Sequence, residues 1–428
     1  MLDWITDRPT LTYLVLMAIV VAWAVEALLS ARQRRHVVAH RDTVPDAFRD
    51  TVQPEEHRRA ADYTLAQGHL ARIEAAVEAL LTIVWLLGGI ALAWQIAGLG
   101  AKALAAGGIV RELLLVALMA LVGGLASLPF AWLSTFRVEA RFGFNRMTQA
   151  LFWTDLVKSI LLSVALLGPL LALVFWLMRQ AGSNWWLWAW GAFVGFQWLM
   201  LALYPTLIAP LFNRFTPLDR AHTRTAVESL LARTGFAARG IYVADGSRRS
   251  SHGNAYFTGF GRARRIVFFD TLLDRLTDSE VVAVLAHELG HFKRRHILQR
   301  LVLATLASGL FLFAVDQAMR SPLLYAAVGI DPQDGLASPG LALAIVATLL
   351  PPLFFWLAPL ASWYSRKHEF EADRFAATTA SAHDLISALV KLYRDNASTL
   401  TPDPLYSAWH HSHPPAGVRI AHLKALTR

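Results

Sequence analysis

Seven long apolar stretches constrain this chain more than anything else in it: residues 11–30, 73–97, 112–135, 156–178, 185–212, 299–319 and 340–363. Crossing about 30 Å of hydrocarbon takes about 20 residues of helix. Inside lipid the backbone must bond within its own segment, so each stretch is expected to be a membrane-spanning helix. Composition agrees: of 428 residues, 55% are hydrophobic and only 17% charged, with 15 Trp and 23 Phe, whereas a soluble domain carries about 25% charged residues. Residues 1–10 lack the basic stretch and small-residue cleavage site of a removable signal peptide, so the first span is expected to stay as an anchor.

Loop charge gives an orientation. Arg32, Arg34, Arg35, Arg41, Arg49, Arg58, Arg59 and Arg72 crowd residues 31–72, and Arg137, Arg141 and Arg146 follow the third span, whereas residues 1–10 and 320–339 lean acidic. Basic loops face the cytoplasm, which puts the N-terminus outside and residues 213–298 and 364–428 inside. The same arginines account for the net charge of +9, and no DNA- or RNA-reading motif accompanies them, so nucleic acid is not an expected partner. Only 6 of the 40 basic residues are Lys, a bias that fits a GC-rich genome and an expected location in a bacterial inner membrane. Cysteine is absent, which excludes disulfides and thiolate metal ligands.

The expected organisation is residues 1–212 with five spans, a small cytoplasmic α+β segment at 213–298, two further spans at 299–363, and a cytoplasmic helical segment at 364–428. Within 213–298, residues 221–235 read as helix, and 241–244, 255–258 and 266–269 as short strands between Gly and Asp turns. Thr277-Asp278-Ser279-Glu280 then forms a capping-box pattern ahead of an apolar stripe of Val281, Val282, Val284, Leu285 and Leu289, which predicts a helix. That helix carries His287-Glu288-Leu289-Gly290-His291. Residues four apart share a helix face, so both imidazoles can reach one metal ion while Glu288 points beside it toward an attacking water.

A catalytic zinc site uses three protein ligands. In Ser365-Arg366-Lys367-His368-Glu369-Phe370-Glu371-Ala372-Asp373, Glu369 and Asp373 lie four apart on one helix face. Glu369 can complete the ligand set while Asp373 holds a ligand imidazole from behind; Glu371 is the alternative ligand. Spacing alone fits a solvated charged helix end equally well.

These two motifs, followed by His411-Ser412-His413-Pro414-Pro415, resemble the type I CAAX prenyl endopeptidases, which are integral-membrane gluzincin metalloproteases. So do Phe136-x-x-Glu139-x-x-Phe142-Gly143-Phe144-Asn145, the run Pro210–Leu218, and Ser250-Ser251-His252-Gly253-Asn254-Ala255-Tyr256-Phe257, in this order. The resemblance covers the chain from about residue 136 to its end. It implies a mainly α fold, a seven-helix barrel around a chamber with a small α+β zinc-protease unit at its cytoplasmic end. It implies His287, His291 and Glu369 as ligands of one Zn2+ per chain and Glu288 as general base. Phe292 stands where relatives carry Trp, which keeps an aromatic wall.

The resemblance also brings His413 close to the catalytic centre, where it could steady an oxyanion or serve as a structural cap. It places substrate along Asn254, Ala255, Tyr256 and Phe257, read as an edge strand that pairs with peptide backbone or as a plain core strand. Arg366 is expected to orient Glu369 or the substrate carbonyl, unless it is a helix-surface arginine. Glu139 is expected to pair with Arg141, and Glu26, Glu74 and Glu78 sit near span ends where water can reach them. The expected partners are the lipid bilayer and a peptide or protein substrate, either a prenylated CAAX C-terminus or a membrane protein destined for turnover. A multispan transporter with a structural zinc site is the rival from another class, but it has no use for Glu288 and predicts pseudo-symmetric halves that are not visible. The motif alone also admits a zinc hydrolase acting on lipid.

Overall fold

The structure, a computed structural model, describes residues 8–258, 264–336 and 338–427; residues 1–7 of the acid-leaning stretch 1–10 lie outside them. It is mainly helical. Five long apolar helices come first: α1 (Arg8–Ala39), α2 (Pro54–Ala103), α3 (Gly108–Glu139), α4 (Gln149–Gln180) and α5 (Gly182–Phe212). A four-stranded sheet follows with α6 (Ala221–Thr234) and the motif helix α7 (Asp278–Lys293). Then come the apolar α8 (His296–Met319), the pair α9 (Pro339–Phe355) and α10 (Ala358–Thr379), and α11 (Ala382–Asp395), α12 (Pro404–His410) and α13 (Ala416–Ala425).

Two spans depart from the sequence reading. Residues 54–72, read as loop, are the first turns of the 50-residue α2, which kinks at Trp85–Gly89, where Gly88 takes φ 140°, a value that favours glycine. The last apolar stretch is broken: α9 and α10 meet at 63°. Pro351 and Pro352 lie inside α9, and Pro359 opens α10, so the backbone bonds that would continue one helix through this stretch cannot all form. Among the described residues six helices are long and apolar enough to cross a membrane alone, and the bent pair makes up to a seventh.

The apolar core shared by the spans lies at one end. Buried residues cluster at Glu112 and Leu115 of α3, Val174, Phe175 and Met178 of α4, Leu312, Val315 and Ala318 of α8, and Pro339–Val346 of α9. All of these are at the end remote from the sheet. Polar ties fasten the same end: Arg179 pairs with the fully buried Glu112 at 2.6 Å, Trp185 Nε1 donates to Asp316 Oδ1 at 2.8 Å, and Arg320 forks onto Asp316. Toward the sheet, α3 buries no residue beyond Leu115. Leu121, Leu125, Ile160, Leu161, Leu199, Leu303 and Leu306 are all exposed there. The helices, joined at that end by this core and bonded between α5 and α8 through Trp190, Gln197 and Thr305, enclose a chamber.

At the open end sits the sheet, in the order β1 (Phe215–Pro217), β2 (Gly240–Ala244), β4 (Arg265–Phe269), β3 (Ala255–Thr258). β3 runs antiparallel to β4 and forms one edge. β1, three residues without alternation and ending in Pro217, escaped the sequence reading. One sheet face, with Ile241, Val243, Ile266 and Phe268, packs on a core of Val227, Leu230, Val281, Leu285, Leu289 and Leu385 from α6, α7 and α11.

Single polar residues join the two halves. Glu139 does not pair with Arg141, whose guanidinium lies over Phe142. Residues two apart on a helix point in different directions, and Glu139 instead accepts from Tyr63 and meets His252 Nε2 at 3.3 Å. Arg249 bonds Asp155 at the start of α4 and the carbonyl of Phe212 at the end of α5. Both tie the segment leading into β3 to the membrane helices.

Glu280 fixes the start of α7. Its Oε2 accepts from Thr277 N at 2.8 Å and Lys391 Nζ at 2.7 Å, and its Oε1 from Ser387 Oγ at 2.6 Å. Burial raises the Glu280 pKa, but the bonds from Lys391, Ser387 and Thr277 outweigh it and leave it lowered. Stability from this group is therefore present above the free-carboxyl pKa of about 4.3 and is lost as pH falls through the lower folded value. Replacing Glu280 with Gln should destabilise the protein by about 1–2 kcal/mol at pH 7. In thermal melts of wild type and variant, the gap should close below about pH 4; an unchanged gap there would show that charge plays no part.

Candidate active site

Helix α7 presents His287 and His291 on one face, one turn apart, with Nε2 atoms 3.2 Å from each other. Its other side is buried through Val281, Ala283, Val284 and Leu285, which fixes the rotation that aims both rings. Helix α10 crosses at Gly290. A Cβ built there would lie 2.8 Å from Ala372 Cα, so only glycine permits this approach. One turn before Ala372, Glu369 is 1% exposed, with Oε2 3.5 Å from His287 Nε2 and Oε1 3.3 Å from His291 Nε2.

These spacings fit zinc. Zn–N bonds of about 2.0–2.1 Å in a tetrahedron put neighbouring ligand atoms about 3.3 Å apart, against the 3.2, 3.3 and 3.5 Å between these donor atoms. Among the described residues this is the only set of three or more His and carboxylate donors so convergent. Glu369 Oε2 is buried without a hydrogen bond; His413 Nδ1 comes within 2.8 Å of it but lacks the bonding geometry.

Behind His287, Asp373 Oδ1 lies 2.9 Å from Nδ1. Arg419 of α13, 5% exposed, forks onto both oxygens of Asp373. Burial alone would lower the His287 pKa, but the Asp373 and Glu369 carboxylates outweigh it and raise it to about 9. Metal binding must displace that proton. Sequence reasoning missed Arg419: nothing local separates a buried arginine from the solvated ones around it.

Glu288 is half-buried, and among the described residues it has no hydrogen bond or ion pair. His413 reaches the centre while its side chain stays 63% exposed. Arg366 is not at Glu369. Its guanidinium bonds the carbonyls of Ser407, Ala408 and His411 at the C-terminal end of α12, where carbonyls run short of helical partners. Glu371 stands apart from the three donors, 3.1 Å from His296 Nε2. β3 is an edge strand beside α7. Ala255 and Phe257 face the core, Phe257 meeting Phe236 edge-to-face at 5.3 Å and Phe236 meeting Phe292 edge-to-face at 5.0 Å. Tyr256 faces away from that core, and beyond it Asn254 Oδ1 accepts from Ala255 N.

Comparison with known proteins decides the family. Residues 33–214 match the family described as CAAX prenyl protease N-terminal, five membrane helices, and residues 217–427 match peptidase family M48. The CAAX prenyl protease 1 homolog of Oryza sativa subsp. japonica is 34% identical over 96% of both chains. The chain belongs to peptidase family M48. The human CAAX prenyl protease 1 homolog is 30% identical over 99% of this M48 peptidase and 98% of its own length. The crystal structure of S. mikatae Ste24p superposes with a TM-score of 0.87 at 29% identity, over 96% of this chain and 98% of that one. The M48 peptidase is thus a multi-pass membrane metalloendopeptidase, and membership of the family implies zinc.

Replacing Glu369 with Ala removes one of three donors, so zinc measured by elemental analysis should fall well below one ion per folded chain; full occupancy would move the third ligand elsewhere. Replacing Arg419 with Gln leaves Asp373 an unneutralised buried anion. It should weaken zinc binding about 10–100-fold in a chelator competition, while a variant that binds as wild type would make the fork purely structural.

Proposed function

We propose that this M48 peptidase cuts peptide bonds of membrane-associated substrates at a zinc centre of His287, His291 and Glu369 facing the cytoplasm. The convergence of these donors beside an unpaired Glu288, at the open end of a helix-walled chamber, carries the reading. Zinc, when bound, polarises the scissile carbonyl and lowers the pKa of water. Glu288 takes the proton of the attacking water and delivers it to the leaving amine. His413, the most exposed group at the centre, donates to the developing oxyanion. The free edge of β3 holds substrate backbone by main-chain pairing, with Asn254, Ala255, Tyr256 and Phe257 alternating beneath it. Arg366 acts at one remove, by holding the turn that carries His413.

The relatives' names favour C-terminal CAAX sequences on prenylated proteins as substrates. The arginine bias, with only 6 Lys among 40 basic residues, favours a bacterial inner membrane and, with it, turnover of membrane proteins. Cleavage of a prenylated CAAX peptide against its unprenylated counterpart and a quenched transmembrane peptide, each with and without chelator, separates the two.

Glu288→Gln keeps the shape but cannot take the proton, so turnover should fall about a hundredfold or more with zinc content unchanged; residual activity near wild type would remove Glu288 from this role. The orientation rests on the Arg-rich loops. In this cysteine-free chain, a cysteine at the exposed Asp219 should resist a membrane-impermeant thiol reagent in intact cells while one at the exposed Gln333 reacts. The reverse pattern would place the centre on the outer side.

A further inference from the structure

His291 makes a contact that the three converging donors do not use. Its Nδ1 lies 3.0 Å from Nδ1 of His296, the first residue of α8, and His296 Nε2 lies 3.1 Å from Glu371 Oε2. Proton positions follow from this order. With Nε2 of His291 turned toward His287 and Glu369, its proton sits on Nδ1 and is donated to Nδ1 of His296. His296 then carries its own proton on Nε2 and donates it to the Glu371 carboxylate. Each donor meets an acceptor in one direction only; the reverse order would confront two N–H groups.

The ring of His296 is not free to turn. It is 1% exposed and lies flat on His368, with centroids 3.8 Å apart and planes 6° from parallel. His368 Nε2 is held 3.1 Å from Gln299 Oε1, an oxygen that also accepts from Tyr364 at 2.7 Å. Arg295, at φ 57°, makes the tight turn that folds α8 back so that His296 meets His291.

We infer that His296 and Glu371 are positioning residues: together they fix the tautomer and orientation of His291 and so set the zinc affinity of the centre. They do for His291, through a relaying imidazole, what Asp373 and Arg419 do directly for His287. A carboxylate behind a ligand histidine raises its basicity and holds its ring, and loss of such support typically weakens metal binding 10–100-fold. The inference rests on His291 being a ligand, and it gives Glu371 a part in the site other than that of a ligand. It also makes a membrane span, α8, contribute its first residue to the metal centre.

The test is zinc affinity of the full-length purified protein by competition with a chelating dye, with cobalt(II) absorption as a second readout. His296→Phe keeps the ring and its stack on His368 but removes the acceptor. Glu371→Leu keeps bulk at a site whose side chain is 34% exposed, so it guards against loss of folding in the first variant. Both should bind zinc about 10–100-fold more weakly and alter the cobalt spectrum, whereas Glu371→Gln, whose amide oxygen still accepts from Nε2, should stay within about threefold of wild type. His291→Ala is the reference. If it loses zinc while His296→Phe and Glu371→Leu bind as wild type, the positioning role is overturned and the ligand reading stands. If His291→Ala itself binds as wild type, the ligand reading fails and takes this inference with it.

Discussion

The site depends on one close approach. Helices α7 and α10 cross where Gly290 meets Ala372, and only that spacing lets Glu369 come within 3.5 Å of both imidazoles. A side chain at residue 290 would push α10 outward by the width of a methyl group, and short carboxylate reach could not restore the triangle. The price of such burial is charge. Glu369 and Asp373 are two buried anions facing one buried cation, Arg419, so these three groups leave one uncompensated negative charge when the histidines beside them are neutral. Buried charge of this kind persists only when paired or coordinated. A divalent cation held by the imidazole–carboxylate triangle would supply the missing positive charge.

The protease half is not a module hung on a membrane anchor. The segment leading into the edge strand is fastened at Arg249 to the ends of α4 and α5, and at His252 to Glu139 at the end of α3. Arg265 of β4 reaches the carbonyl of Pro205 near the end of α5. The buried core that α3, α4 and α5 share lies at their far ends, so these ties help to set the positions of their sheet-side ends. The sheet thus closes the open end of the chamber and spaces the helices around it, and the strand beside the metal centre takes its position from both halves.

Some of this was legible because it is local. The capping box at Thr277 and the apolar stripe behind it place His287 and His291 on one helix face, and the strands at 241–244, 255–258 and 266–269 follow from short apolar runs between turns. The pairing of Glu369 with that helix was not local: two carboxylates four apart describe many solvated helices, and only resemblance to a family selected them. Arg419 was invisible for the same reason, since its partner lies 46 residues away and burial leaves no mark on a lone arginine. Glu139 has a basic neighbour two residues on in sequence, but a partner it meets lies 113 residues away.

The bend between α9 and α10 explains the rest of the geometry. Breaking a helix frees backbone groups that must find partners. Trp409 Nε1 donates to the carbonyl of Phe355 at the end of α9, and the carbonyl of Trp409 accepts from Ser362 in the second turn of α10. α12 therefore clasps both sides of the break. Its own C-terminal carbonyls are in turn held by Arg366, one turn further along α10. Two residues past the last of those carbonyls comes His413, delivered to within 2.8 Å of Glu369. A proline-driven break in a membrane helix thus aims Glu369 at the motif helix, and the hydrogen bonds that repair the break bring the last histidine to the same carboxylate.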